Sequence, residues 1–185
     1  NPFPGGEVAD YCTSILDMEG RVVELRWITG LQAPTGLFLK GSSLYVVERD
    51  GISIFETETG VLLDKKVIDQ PGFLNDVVVR HCGAIYYTDT SPRAAEQSYI
   101  GRIMVGRMDT LINESVNRSN GLSMDRNFLL LGNSGDRSLK RIEARTGICE
   151  TVAVLDSGTI DGIRVLDKDR YLVSHWEGRL FLVSE

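Results

Sequence analysis

The sequence predicts an all-β fold, a β-propeller of four-stranded blades. Three observations predict it. Short apolar runs alternate with turn residues along nearly the whole chain, no amphipathic helical period of twelve residues is found, and an internal repeat recurs about every forty residues. The runs follow in order as LYVVE (44–48), ISIFE (52–56), VLLDKKVI (61–68), DVVV (76–79) and IYYTD (85–89), then RIMV (102–105), FLLLG (128–132), LKRIEA (139–144), YLVSH (171–175) and RLFLV (179–183). Each has strand length, is rich in β-branched and aromatic residues, and is bounded by Gly, Asp, Asn or Ser.

The repeat assigns the architecture. Four segments open alike, at Pro34-Thr35-Gly36-Leu37, Leu74-Asn75-Asp76-Val77, Ser119-Asn120-Gly121-Leu122 and Ile160-Asp161-Gly162-Ile163. Their polar positions 35, 75, 120 and 161 lie 40, 45 and 41 residues apart. A second strand follows each opening, then a third, a turn such as Thr57-Glu58-Thr59-Gly60, and a fourth strand in most units. A β-sandwich would share the short strands but not the recurring opening; a propeller blade accounts for both. The chain then reads as a single domain over 1–185, with a partial blade at 1–31, blades at 32–73, 74–118 and 119–159, and a partial blade at 160–185. About four blades are present, and either the strand at 21–27 completes the last blade of a small ring or the chain is part of a larger one. The larger ring is favoured, because both ends contain a third strand, which one closed blade cannot use twice. Open edge strands invite pairing, so self-association is expected of an incomplete ring.

Composition excludes several functions. With 20 Lys plus Arg against 26 Asp plus Glu, the net charge is −6 and no basic run offers a nucleic-acid footprint. No apolar stretch reaches the ~18 residues of a membrane helix, and runs such as 128–131 are far shorter. No membrane or nucleic-acid partner is expected, and a soluble chain, cytoplasmic or secreted, is. The sequence opens at Asn1 without a signal peptide, as a processed or trimmed product would. Cys12, Cys82 and Cys149 are widely spaced, form no CxxC pattern and read as isolated thiols. The sequons at Asn113 and Asn117 matter only in a eukaryotic secretory protein. Neither a GxSxG elbow nor a Gly-rich phosphate loop leading into a helix is present, which ranks serine hydrolase and nucleotide-binding functions low.

In a blade, the first strand lines the central channel, and its start lies beside the end of the second. The four openings should therefore converge at one mouth, bringing Thr35, Asn75, Asn120 and Asp161 together with Glu48, Asp89, Asn133 and His175 nearby. One carboxylate and two amide oxygens make a hard-oxygen set suited to Ca²⁺ or Mg²⁺. The alternative is plain turn chemistry, because Asn-Gly and Asp-Gly favour tight turns and Asn75-Asp76 can bond to local backbone. His175 reads either as a structural histidine or as a proton shuttle at the channel mouth. Glu48, before Arg49-Asp50-Gly51, reads first as a surface salt link, Asp136 as a loop residue, and His81 as part of a turn with Cys82-Gly83.

FLNDVVV (73–79) followed by IYYTDT (85–90), SNGLSMD (119–125) and IDGIRVLDKDRYLVSHWEGRLFLV (160–183) resemble, in order and spacing, the senescence marker protein/gluconolactonase/luciferin-regenerating enzyme family of six-bladed propellers. The resemblance implies a divalent cation, usually Ca²⁺, at the propeller centre, and hydrolysis of lactones or, in relatives, of phosphotriesters. Asn120 and Asp161 match its metal-ligand positions, with Asp161 also the candidate base. Asn75 matches a position that binds substrate or metal. Where family members commonly carry Glu at the first opening, this chain has Thr35, which removes a negative charge from the set and leaves Thr35 as a substrate-contacting candidate. Glu48 is the nearest carboxylate able to compensate. Two functions follow as expectations: a metal-dependent hydrolase of a small lactone or ester, with Asp161 or His175 moving protons, or a non-catalytic propeller serving as a ligand-binding or protein-interaction scaffold.

Overall fold

The computed structural model describes residues 10–90 and 97–184, and all regular structure in it is β. Among the described residues, seventeen strands form five antiparallel sheets. A two-stranded sheet pairs β1 (Tyr11–Leu16) with β2 (Val22–Leu31). Three four-stranded sheets follow. The first contains β3 (Leu37–Lys40), β4 (Ser43–Glu48), β5 (Gly51–Glu56) and β6 (Leu62–Val67). The second contains β7 (Leu74–Val79), β8 (Ile85–Asp89), β9 (Tyr99–Met104) and β10 (Arg107–Ile112). The third contains β11 (Ser119–Asp125), β12 (Phe128–Asn133), β13 (Ser138–Glu143) and β14 (Cys149–Val154). A three-stranded sheet of β15 (Ile160–Asp167), β16 (Arg170–His175) and β17 (Leu180–Ser184) ends the chain. Strands pair strictly in chain order, which is the up-and-down order of propeller blades. No helix among the described residues is long and apolar enough to cross a membrane.

The sheets stack face to face, and apolar side chains fill each gap. Val47, Ile52 and Ile54 of the first full blade meet Val77, Val79 and Tyr87 of the second. Val78, Tyr86 and Ile100 of the second meet Leu122, Leu129 and Ile142 of the third, and the buried Tyr86 hydroxyl donates to the Ala144 carbonyl at 2.9 Å. Leu130 and Leu139 meet Ile160, Tyr171 and Val173 of the last sheet. Ile28 and Leu31 of the hairpin β1–β2 pack on Val46 and Phe55. Burial follows strand position. Central strands are nearly enclosed, as in β8 and β12, whereas fourth strands such as β6 and β10 are largely exposed.

The first strands β3, β7, β11 and β15 lie side by side, with β11 between β7 and β15. Their starts carry the repeated openings, and three of them are bulged. Pairing skips two residues between Leu74 and Val77, between Ser119 and Leu122, and between Ile160 and Ile163. The Asn-Gly and Asp-Gly pairs are therefore bulges within strands and not hairpin turns. A bulge twists the strand locally and re-aims the side chains it contains.

Candidate functional site

Three glycines show how closely the bulges approach one another. A Cβ on Gly36 would lie 2.6 Å from the Asn75 carbonyl oxygen, and one on Gly121 would lie 2.0 Å from that of Asp161. Gly162 has less need of the space, with the Ser174 hydroxyl 2.9 Å from such a Cβ. None of the three has a positive φ, so close backbone approach is what selects glycine at 36 and 121. The contacts run from 36 to 75–76 and from 121 to 161–162. Asp76 links the middle pair, its carboxylate accepting the Leu122 N–H at 2.7 Å. The openings that carry Thr35, Asn75, Asn120 and Asp161 thus adjoin one another in chain order.

Hydroxyls from the preceding blade anchor the carbonyl just before each bulge. Thr35 donates to the Leu74 carbonyl at 3.0 Å, Thr90 to that of Ser119, and Ser134 to that of Ile160 at 2.7 Å. The bulge at Asn120-Gly121 is held most heavily. Thr88 Oγ1 donates to the Asn120 carbonyl at 2.9 Å, Ser119 Oγ donates to the Asp89 carbonyl at 2.9 Å, and Asp76 takes Leu122 N–H. Inside this grip the Asn120 side-chain oxygen is buried without a hydrogen-bond partner. A buried, unmatched carbonyl costs about 1–3 kcal/mol, so such an atom marks a place where a donor or cation fits. Asn75 and Asp161 are half-buried on either side, and no hydrogen bond to either side chain is found among the described residues.

Asp76 belongs to this cluster, although its residue type alone does not announce it. The signal is positional: the openings have Gly at 36, 121 and 162, and Asp at 76. Both its oxygens are engaged, Oδ1 by Val77 N–H at 2.8 Å and Oδ2 by Leu122 N–H. Burial pushes the carboxyl up to about 6 against the pull of those two bonds, and the nearby Asp161 charge adds to the rise.

The ends of the second strands do something other than face the axis. Glu48, Asp89 and Asn133 are almost fully buried, and each clasps the backbone of the loop entering its own blade. Glu48 accepts from Gln32 N–H at 2.5 Å and from the Ser53 hydroxyl, Asp89 from Gly72 and Phe73 N–H at 2.9 Å each, and Asn133 from Asn117 N–H at 2.7 Å. Glu48 is therefore a buried loop clasp rather than a surface salt link, although Lys65 Nζ stands 3.8 Å away. His175 holds the matching place in the last sheet and does not clasp. It is 4% exposed, stacks on Phe181 with ring centroids 4.5 Å apart, and neither ring nitrogen has a hydrogen-bond partner. Glu177, two residues on, takes over the clasp by accepting Thr159 N–H at 2.9 Å.

The remaining candidates fall as follows. Asp136 lies in the β12–β13 turn and accepts from Ser138 N–H at 3.1 Å, and His81 lies in the tight β7–β8 turn. The three cysteines are free thiols. Thr35 also lines a cavity of about 190 Å³ with Cys12, Thr13, Ser14, Pro34 and Leu37. In donor type, the Asn120 oxygen with Asp161 and Asn75 suits a hard cation such as Ca²⁺. No group of three or more His, Cys, Asp or Glu that could hold a metal is found among the described residues, so amide oxygens would have to contribute.

No protein-family model matches the sequence, and no curated protein sequence does either. Solved structures do match. One chain of a nidogen/laminin complex is similar with a TM-score of 0.73 and 15% identity, over 90% of this chain and 65% of that one. A gluconolactonase from Xanthomonas campestris is similar with a TM-score of 0.61 and 18% identity, over 85% and 64%. A virginiamycin B lyase from Staphylococcus aureus is similar with a TM-score of 0.58 and 12% identity, over 82% and 55%. The chain thus spans between about half and two thirds of the length of these three. At such identities the likeness is one of architecture, and with the sheet order above it makes this chain a β-propeller of four-stranded blades.

Proposed function

We propose that the chain is the axial part of a metal-dependent hydrolase of a small lactone or ester, in a ring of six blades. The observation that carries this reading is the buried, unpartnered Asn120 oxygen, held beside Asp161 on adjoining bulges. Asn120 and Asp161 would hold a divalent cation, Ca²⁺ first, with Asn75 as a further ligand or as a contact to substrate. When bound, such a cation polarises a carbonyl and acidifies a coordinated water. The chain's own residues supply the rest. The Asp161 carboxylate, without a protein partner, is placed to accept a proton from an attacking water, and the anchored carbonyls of Leu74, Ser119 and Ile160 keep the three side chains in register. His175 is enclosed against Phe181, so Asp161 is the stronger candidate for moving the proton. Structural likeness to a gluconolactonase supports the fold in which this chemistry would run.

Calorimetric titration of metal-free protein with Ca²⁺, run beside lactone hydrolysis, tests the reading. Binding near one equivalent and turnover are expected, both lost in Asp161→Ala; absence of both in the wild type overturns it. A scaffold function is the second reading. It is favoured by Thr35, whose hydroxyl is engaged by the Leu74 carbonyl where a carboxylate would strengthen the cation site, and by Glu48, whose oxygens are occupied by its loop.

A further inference from the structure

The middle blades differ from their neighbours in a way that assigns a role to a residue outside the candidate ligand set. We infer that Asp76 is the positioning residue for Asn120: from the second blade it clamps the Asn120-Gly121 bulge so that the Asn120 side-chain oxygen faces the axis unpaired. This rests on the reading of the axial cluster given above and adds to it the residue that sets its geometry.

At the third position of each opening the chain carries Gly36, Asp76, Gly121 and Gly162. Gly121 touches the following bulge through backbone alone, and the space its Cβ would need is filled by the Asp161 carbonyl. At 76 the following bulge instead accommodates a side chain, and Oδ2 takes the Leu122 N–H at 2.7 Å. Leu122 is the residue at which regular pairing with β12 resumes, opposite Leu131. The bulge at Asn120-Gly121 is therefore pinned on its far side by Asp76 and on its near side by Thr88 and Thr90, through the carbonyls of Asn120 and Ser119. Thr88 Oγ1 also accepts Asp76 N–H at 3.0 Å, which ties both ends of the grip to one short stretch of the second blade. The last bulge has the Ser134 anchor and an internal bond from Gly162 N–H to Ser174 at 2.8 Å; its neighbour at the matching place is Gly121, which has no side chain to offer.

Two variants and one control test the clamp. Asp76→Asn keeps an oxygen for Val77 N–H and turns a donor toward Leu122 N–H. Asp76→Gly installs the residue of the sister openings, and Thr151→Ala on β14 is the control. Amide hydrogen exchange at Gly121 and Leu122 is expected to rise at least tenfold in both variants relative to Leu130. The Asn120 side-chain amide resonances should shift, and Ca²⁺ affinity should fall at least tenfold, while cooperative unfolding is retained and the control matches wild type. Unchanged exchange at Leu122, or raised exchange with unmoved Asn120 resonances and wild-type Ca²⁺ affinity, overturns the inference. A wild type that binds no Ca²⁺ removes the hydrolase reading alone. The exchange and Asn120 signals then still decide the clamp, because a general loss of stability would raise exchange in Leu130 as well.

Discussion

The second and third full blades are built from the same repeat as the first full blade and the last sheet, yet their matching residues meet opposite surroundings. Leu139 of β13 is fully buried against the last sheet, whereas Leu180, at the corresponding place in β17, is 69% exposed. Val77 of β7 is enclosed by the blade before it, and Leu37 of β3 is 54% exposed. The lesson is that an apolar residue in a blade becomes core only through its neighbour, since each sheet buries one face against the next. The polar devices grade the same way: buried Asp89 clasps its loop with two bonds, and in the last sheet the clasp has moved to the exposed Glu177.

Leucine truncation should separate middle from end most sharply. Leu139→Ala removes a side chain with no exposed surface and should lower unfolding free energy by about 2–5 kcal/mol, whereas Leu180→Ala should cost only a few tenths, both read by denaturant titration. Equal losses would mean that Leu180 is covered in solution. The clasps come next. Asp89→Ala leaves two loop N–H groups without their acceptor and should cost about 2 kcal/mol in the same assay, more than Glu177→Ala, whose acceptor already competes with water. If the order reversed, the buried clasp would not be what holds the entering loops.

The pH response of the axial bulges gives a smaller effect. Burial holds the Asp76 carboxyl at about 6 in the folded protein, above its ordinary 3.8. The native state therefore holds a proton that the unfolded chain has released between roughly pH 4 and 6. Stability of the metal-free protein should fall as pH rises through that window, by on the order of 2 kcal/mol once partial exposure is allowed for. The contribution is fully present below pH 4 and lost above 6, and Asp76→Asn should flatten it. A wild-type profile without this slope would mean that the carboxyl titrates as an ordinary surface group.

Much of the fold was legible because a strand records its surroundings in residue type. Runs such as IYYTD and FLLLG are enclosed on both sides, and their strands β8 and β12 appear where the runs lie. Arg107–Ile112 was not legible as a strand, because as a fourth strand it is mostly solvent-facing and carries little apolar pattern. The side-by-side placement of the four openings followed from the repeat, since equal spacing puts equal positions on equal strands. The clasps were misplaced toward the channel for a physical reason: the end of a second strand neighbours both the axis and the entering loop, and only the directions of Glu48, Asp89 and Asn133 decide between them. Asp76 stayed hidden because its partner, Leu122 N–H, is 46 residues away and on another sheet.

By itself the sequence determined the blade, its four-strand order and the polar residue that starts each inner strand, because periodicity and side-chain class are local properties. Tertiary structure alone decided which of those polar atoms are satisfied. Whether an oxygen is clasped, clamped or left bare at the axis depends on backbone N–H groups supplied by a neighbouring sheet, and Asn120 is left bare because its neighbours grip its backbone and not its side chain.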